Sequence, residues 1–301
     1  MSSLQTLDYI VVAVYVVALI AIALWVSRTP PGHQRDTRDY FLASKSLPWW
    51  AIGASLISAN ISAEQIIGMS GSGFVIGLAI ASYEWTAAFV LILVGKYLLP
   101  VFLKTGIYTM PQFLELRYDR SVKTVMAVFW LGVYVLINLT SILWLGALAI
   151  HSMTGASMEL AILLLPAFAV VYSIYGGLKA VALTDIIQVV LLVLGGLLVA
   201  WITLDRIGGD AGGPLTGLRM LMEQAPDKFH MILERDHPQY YNLPGLGVLL
   251  GGLWVMHLSY WGFNQYIIQR ALAAKSLREA QKGILFAAGL KLLMPLIIVV
   301  P

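Results

Sequence analysis

The sequence predicts an all-α protein that crosses a membrane several times, and three observations support that prediction. Hydrophobic residues make up 59% of the 301-residue chain and charged residues 12%, whereas soluble domains carry about 25% charged residues. The mean hydropathy is +0.81. The apolar residues fall in runs as long as a membrane-spanning helix, without the alternation of barrel strands. We therefore treat residues 1–301 as a single transmembrane domain.

Eight apolar segments are long enough to span a membrane. They cover residues 8–27, 49–72, 78–103, 122–150, 158–175, 181–204, 244–267 and 283–301. The first is not a secretory signal peptide, because no positive residue precedes it and no small-residue cleavage site follows it. The last runs to Pro301 without a polar flank. We interpret it as a span cut short, so that a C-terminal half is missing.

The positive residues predict the orientation, because cytoplasmic loops carry an excess of Lys and Arg. An N-terminus outside places thirteen of them on the inner side: Arg28, Arg35, Arg38, Lys45, Lys104, Arg117, Arg120, Lys123, Lys179, Arg270, Lys275, Arg278 and Lys282. The outer connection 206–243 holds four: Arg206, Arg219, Lys228 and Arg235. We expect a multi-pass protein of the cell inner (plasma) membrane, with 206–243 as a solvated outer loop that has room for a short helix.

Several chemistries are disfavoured by what the sequence lacks. There is no cysteine, which excludes disulfides, thiolate metal sites and cysteine nucleophiles. No Lys/Arg block suggests nucleic acid, and no phosphate-binding glycine loop suggests ATP coupling. Glu64 and Glu84 form a conceivable acid–base pair, but nothing marks a reacting substrate. We therefore expect a protein that is not an enzyme.

Span two carries polar residues where lipid favours apolar ones. Its stretch SAEQIIGMSGSG (62–73) places Glu64 beside Gln65 within an apolar region, although each ionisable residue in a span costs about 2.5–3.5 kcal/mol. A helix broken at mid-membrane would free carbonyls for a small cation. Helix packing through small polar residues is the alternative. It accounts for the serines and glycines, but not for a carboxylate next to an amide.

Three other spans contain one ionisable residue each. Glu84 lies in span three, and its alternative role is to face the headgroups. Asp185 lies in ALTDIIQ, where a helix-start residue favoured by the helix dipole is the alternative. Lys291 lies in FAAGLKLLMPLI, where the alternative is a side chain that extends to the membrane surface.

Span seven is the second interrupted segment. His257, Tyr260 and Asn264 share one helical face at i, i+3 and i+7. Upstream of this face, the span is interrupted by one proline and four glycines: Pro244, Gly245, Gly247, Gly251 and Gly252. Two interrupted spans, five apart, are typical of an inverted repeat around a binding site at the midplane. The alternative is a histidine satisfied by a neighbour within an aromatic core.

These residues carry a resemblance to a known family. The runs FLASKSLPWWAIGASLISANISAEQIIGMSGSGFVIGLAIASYEW, YSIYGGLKAVALTDIIQ and WGFNQYIIQRALAAKS resemble the sodium:solute symporter family, and within it the bacterial sodium/galactose (sodium/glucose-type) subfamily. The resemblance implies a leucine-transporter-type inverted-repeat fold, truncated to about eight transmembrane helices. Residues 8–27 would be an extra first helix, 49–204 the first five-helix repeat, and 244–301 two helices of the second.

The resemblance also implies a site and a coupling ion. Sodium would bind the backbone carbonyls of Ser58 and Ile61, and Asn60 would support the broken helix by bonding to Tyr260. Asp185 would lie on the sodium exit route. The solute ligands would be Gln65, Glu64, Glu84, His257, Tyr260, Asn264 and Lys291. Met69 and Tyr83 would form an outer gate, and Tyr260 an inner gate that stacks on a sugar ring.

Two positions depart from the subfamily. Ala87 replaces a serine and His257 an asparagine, and both positions contact sugar there. A histidine can still donate and accept hydrogen bonds, so the expected function is sodium-coupled symport of a sugar such as galactose or glucose. The alternatives are another solute (an inositol, an acidic sugar or an amino acid) or a truncated fragment that does not transport. The partners are then the solute, the lipid bilayer and a missing C-terminal half, and not nucleic acid.

Overall fold

The computed structural model describes residues 4–28, 36–209, 212–243 and 245–300, and within these ranges every regular element is helical. Pro244 and Pro301 lie outside them. The α-helices are α1 (Thr6–Val26), α2 (Thr37–Leu42), α3 (Trp49–Asn60), α4 (Ala63–Ile76), α5 (Ser82–Leu93), α6 (Leu99–Thr105), α7 (Met110–Arg117), α8 (Arg120–Val133), α9 (Thr140–Thr154), α10 (Met158–Gly208), α11 (Gly213–Gln224), α12 (Gly245–Gly247), α13 (Leu253–Leu258), α14 (Gln265–Leu272) and α15 (Leu277–Ile298). Among the described residues, π-helical turns continue α5, α8, α12 and α13: Val94–Leu98, Tyr134–Leu139, Val248–Gly252 and Ser259–Phe263.

The apolar helices match the predicted spans in number and place, with different boundaries. In the described ranges, six helical stretches are long and apolar enough to cross a membrane, and two shorter apolar helices, Gln65–Ile76 and Met158–Val171, complete the set. Span two is two helices, α3 and α4. Span seven continues past its predicted end at residue 267 to Leu272, through a break at Asn264. The chain is a multi-pass membrane protein.

Spans five and six are joined by a kink, where the sequence suggested a short loop. Gly177 has φ 59° and ψ −162° within α10, a conformation that glycine adopts without the steric cost of a Cβ. A Cβ at this position would lie 2.7 Å from the carbonyl oxygen of Tyr40. The kink therefore packs directly on the segment before span two.

Contacts between loops show which helix ends share a side of the membrane. The amide of Leu47 donates to the carbonyl of Ala273, and the amide of Lys275 donates to the carbonyl of Leu47. The amide of Trp49 donates to the carboxylate of Glu279 at 2.8 Å. The starts of spans two and eight and the end of span seven therefore lie together, as the distribution of positive charge requires.

Helix α15 lies at the centre of the packing. Its glycine Gly283 meets α3, where an added Cβ would lie 2.8 Å from Ile52, and Gly53 of α3 meets Phe286 in the same way. Small residues let helix backbones approach closely in a membrane, where packing replaces the hydrophobic effect as the source of association. The same helix packs against α5, which brings Lys291 to Glu84.

The connection 206–243 is more ordered than a solvated loop. It contains α11 and a 3₁₀ turn, Pro226–Phe229, and its residues Leu233 and Leu243 are buried against Ile76 and Ala79. The ammonium of Lys228 donates to the carbonyls of Phe74 and Val75, at 2.9 and 2.8 Å. The connection therefore covers the end of α4.

We expect Gly177→Ala to lower the thermal stability of the protein in detergent. A non-glycine residue with φ 59° and ψ −162° costs about 1–3 kcal/mol, and the added methyl group meets the Tyr40 carbonyl. Together these should lower the Tm by roughly 5 °C. Gly195→Ala is the matched control, because nothing lies within 4 Å of its Cβ position. Equal melting temperatures for the two variants would show that the kink does not need glycine.

Candidate functional site

The break in span two frees backbone groups in the middle of this span. Helix α3 ends at Asn60, Ile61 and Ser62 have extended dihedral angles, and α4 begins at Ala63. The carbonyls in the last turn of a helix have no amide partner within that helix. The break therefore leaves backbone carbonyls, among them those of Ser58 and Ile61, without an amide partner within α3. A break in this span is what its polar sequence predicts.

A second break lies in span seven, at a different position from the glycines that predicted it. The π-helical turn Ser259–Phe263 ends at Asn264, whose ψ of 123° is extended, and α14 begins at Gln265. Wide π turns often occur at functional sites. The interruption therefore lies at the polar face His257–Asn264 and not at Gly251 and Gly252.

A cavity of about 530 Å³ lies between the two breaks and has polar and aromatic walls. Nine of the predicted site and gate residues line it: Asn60, Gln65, Met69, Tyr83, Glu84, His257, Tyr260, Asn264 and Lys291. Its volume is in the usual range for small-molecule pockets, about 300–1,000 Å³. The structure therefore brings together residues from spans two, three, seven and eight.

A buried ion pair forms one wall of the cavity. The ammonium of Lys291 lies 2.8 and 2.7 Å from the two carboxylate oxygens of Glu84, and the side chains are 1% and 3% exposed. The amide of Gln65 donates to the same carboxylate at 2.7 Å. Neither side chain reaches the membrane surface, so the headgroup alternative for Glu84 and the surface alternative for Lys291 are both wrong.

His257 faces the cavity with one ring nitrogen free. It is buried, its ring meets that of Tyr83 edge to face at 6.5 Å, and its Nε2 has no hydrogen-bond partner among the described residues. A buried polar atom without a partner is uncommon. The alternative of a fully satisfied core histidine therefore does not hold for Nε2.

Tyr260 connects the two broken helices. The amide of Asn60 donates to its hydroxyl at 3.1 Å, and that hydroxyl also lies 3.0 Å from the hydroxyl of Tyr266. The bond between Asn60 and Tyr260 is the one that the resemblance implied. It crosses from the last turn of α3 to span seven, so it ties one break to the other.

Asp185 belongs to a separate buried cluster. It accepts from the hydroxyl of Ser55 at 2.5 Å and pairs with the guanidinium of Arg270 at 3.5 Å. Arg270 also donates to the Ser55 hydroxyl at 2.8 Å. Asp185 lies two turns beyond the kink at Gly177, so the helix-start alternative is wrong. Next to this cluster, Ser58 donates to the side chain of Gln188 at 3.1 Å.

The structure leaves some predicted residues outside the cavity. Ser58, Ile61 and Asp185 do not line it. Ala87, one of the two departures, is buried in the core. Glu64 lies in the first turn of α4, and its side chain lies outside what the structure describes.

One wall of the cavity was not anticipated. Trp130, Asn138 and Ser141 line it from span four, and Tyr266 does so beyond the second break. Tyr134, Asn138 and Ser141 recur at i, i+4 and i+7 in an otherwise apolar span. This polar stripe is the signal in the sequence that could have identified the wall.

Two broken helices around a polar cavity are a feature that many secondary-transporter folds share. The fold is similar to that of a Na+-coupled sialic acid symporter solved in a substrate-bound outward-open state. The TM-score is 0.84 at 22% identity, over 98% of this chain and 60% of that one. The leucine-transporter-type fold predicted from the sequence is therefore confirmed.

The chain belongs to the sodium:solute symporter family, whose model matches residues 40–301. It is 58% identical to a sodium/glucose cotransporter of Vibrio parahaemolyticus over 99% of this chain and 55% of the relative. It is 35% identical to sodium/glucose cotransporter 4 of Mus musculus over 99% of this chain and 44% of the relative. The chain thus spans about half the length of the curated relatives it matches.

We expect Glu84→Gln or Lys291→Met alone to destabilise the protein more than both changes together. Either change alone leaves one buried charge unpaired, which costs about 3–5 kcal/mol, whereas removal of both charges is often near neutral. The check is the free energy of unfolding of the four proteins in one detergent. Glu223→Gln is the control, because its pair with Arg219 is exposed and such pairs contribute about 0–1 kcal/mol. Additive losses in the double variant would contradict a coupled pair.

Proposed function

We propose that the protein carries out sodium-coupled symport of a small polar solute, a sugar such as galactose or glucose, by alternating access. The observation that carries the proposal is the polar cavity between two broken helices, with a self-neutralised ion pair in its wall. Family membership supports sodium as the coupling ion. The names of the two sodium/glucose cotransporters support a sugar.

Sodium, as co-transported cargo, would bind at the break in span two. The carbonyls of Ser58 and Ile61 flank the interruption, and oxygen atoms are the ligands that hard cations prefer. The hydroxyl of Ser58 is engaged by Gln188, so its carbonyl is the group left for the ion. The bond from Asn60 to Tyr260 supports the break from the other helix. Asp185 is buried next to this region, and we propose that it lies on the route by which sodium leaves the site.

The charges of the cavity favour a neutral solute over an acidic sugar or an amino acid. Among the described lining residues, the charged groups are Glu84 and Lys291, and each neutralises the other. An anionic solute would have to separate Lys291 from Glu84 inside a low-dielectric site. A polyhydroxyl solute needs no such separation, because a carboxylate has about four acceptor positions and Lys291 and Gln65 use three. An inositol shares this chemistry and remains the second candidate.

The aromatic and thioether side chains that line the cavity are the groups that we propose as its inner and outer gates. Tyr260 offers a ring face for an apolar sugar surface, and we propose it as the inner gate. Met69 and Tyr83 line the same cavity, and the amide of Gln65 lies 3.8 Å from the sulfur of Met69. A movement of Met69 would therefore change the surroundings of Gln65, which is a proposed solute ligand.

The proposed orientation has the N-terminus outside, in the plasma membrane. The excess of positive residues on one side supports it, and so do the contacts that join those helix ends. Inward sodium movement would then be driven by the membrane potential, which contributes about 2.3 kcal/mol per charge at 100 mV.

We expect the full-length product of the gene, reconstituted in proteoliposomes, to take up labelled glucose or galactose when a sodium gradient points inward. A potassium gradient should not support uptake. An excess of unlabelled neutral hexose should compete, an inositol less strongly, and an anionic sugar or an amino acid hardly at all. Uptake that ignores sodium would contradict the coupling, and strong competition by the anionic sugar would contradict the neutral solute.

We expect His257→Leu to raise the half-saturating solute concentration roughly tenfold, because a solute hydroxyl left without a partner costs about 1–3 kcal/mol. His257→Asn should keep most of the affinity, since an amide also donates and accepts. His230→Leu, on the exposed outer connection, is the control. An unchanged half-saturating concentration in His257→Leu would remove His257 from the solute site.

A further inference from the structure

Span four supplies a hydroxyl group to the break in span seven. The backbone amide of Gln265 donates to the hydroxyl oxygen of Tyr134 at 3.2 Å. The same hydroxyl donates to the side-chain oxygen of Asn264 at 2.9 Å. One tyrosine therefore contacts both residues at which the helix is interrupted.

This contact satisfies a backbone amide that the break leaves without a partner. The first amides of a helix have no partner within that helix, and in a membrane an unsatisfied amide costs far more than in water. A residue at the Asn264 position usually satisfies them with its own side chain. Asn264 makes no such capping bond; its oxygen is turned to Tyr134, and the Tyr134 hydroxyl accepts from the first amide of α14.

The donor and acceptor roles are fixed by this arrangement. Because the hydroxyl oxygen of Tyr134 accepts from the Gln265 amide, its proton is directed to Asn264 Oδ1. The carbonyl side of the Asn264 amide is thereby engaged, which leaves its NH₂ group as the donor available to the cavity that Asn264 lines. Loss of the hydroxyl would free the amide to flip.

The ring of Tyr134 is held independently of its hydroxyl. It stacks on Trp130 with centroids 5.4 Å apart, and it meets Tyr266 edge to face at 5.6 Å. On the far side of the break, the side chain of Gln265 accepts from the amide of Met110 at 2.7 Å. Removal of the hydroxyl alone should therefore leave the ring and the start of α14 near their places.

We propose that Tyr134 is a positioning residue: it caps the broken span seven and orients Asn264 as a hydrogen-bond donor to the solute. This inference rests on the proposed function for the solute, whereas the capping of α14 does not depend on it. Tyr134 itself acts through Asn264 and Gln265. Solutes that offer an acceptor oxygen to Asn264 are the ones that lose affinity when the cap is removed.

The first test measures the cap without any transport. Hydrogen exchange is followed by mass spectrometry in the peptide that covers residues 261–272, for Tyr134→Phe and for Tyr97→Phe. Tyr97 is an exposed tyrosine of span three, which makes it a matched loss of one hydroxyl. We expect roughly tenfold faster exchange at the start of α14 in Tyr134→Phe only. Wild-type exchange in Tyr134→Phe overturns the proposal, whether or not the protein transports a sugar.

The second test measures positioning by equilibrium binding of the solute to the purified protein. Tyr134→Phe should weaken solute binding roughly tenfold and leave the sodium dependence at saturating solute unchanged, since the proposed sodium ligands lie at the other break. In an Asn264→Ala background, Tyr134→Phe should have little further effect. Faster exchange with unchanged solute affinity, or an equal further loss in the Asn264→Ala background, would overturn the positioning role. Absence of sugar binding by the wild type would instead reject the proposed function.

Discussion

The buried pair between Glu84 and Lys291 is the interaction on which the site depends. It joins α5 to α15, and α15 is the helix that also packs on α3 through Gly53 and Gly283. Neither charge is stable alone inside a membrane, so the two helices must hold the register that keeps the carboxylate and the ammonium in contact. Around the pair, Gln65 donates to Glu84 and the ring of Tyr83 meets that of His257, and all of these side chains line one cavity.

The two broken helices impose the second requirement, which is to satisfy backbone groups far from water. At the first break, the backbone carbonyls of Ser58 and Ile61 lie where α3 ends, and these are the groups that we propose as sodium ligands. At the second break, amides are freed at Gln265, where a hydroxyl from span four meets them. The breaks therefore differ in chemistry: one presents acceptors and the other needs an acceptor. Tyr260 joins the two segments through its hydrogen bond with Asn60, which links the last turn of α3 to span seven.

The connection 206–243 adds a constraint on the same helices. Its residues Leu233 and Leu243 pack on the α4–α5 junction next to Tyr83, and Lys228 caps the carbonyls at the end of α4. The segment that follows leads directly into span seven. A connection that looks polar and solvated in sequence thus joins the C-terminal end of α4, in one broken span, to the start of the other broken span.

The sequence by itself determined the membrane class, the eight apolar segments and the polar residues that interrupt two of them, because hydrophobic length and the cost of buried charge are local properties. It could not place the second break, since Asn264 and not the nearby glycines interrupts the helix, and that choice depends on a partner from span four. It left Glu84, Lys291 and Asp185 open to surface or helix-end roles. Only tertiary packing decided these, because each needed a counter-charge or donor more than 80 residues away in the chain. The wall that Asn138 and Ser141 contribute became recognisable for the same reason: their spacing is local, but the other walls of the cavity come from four other spans.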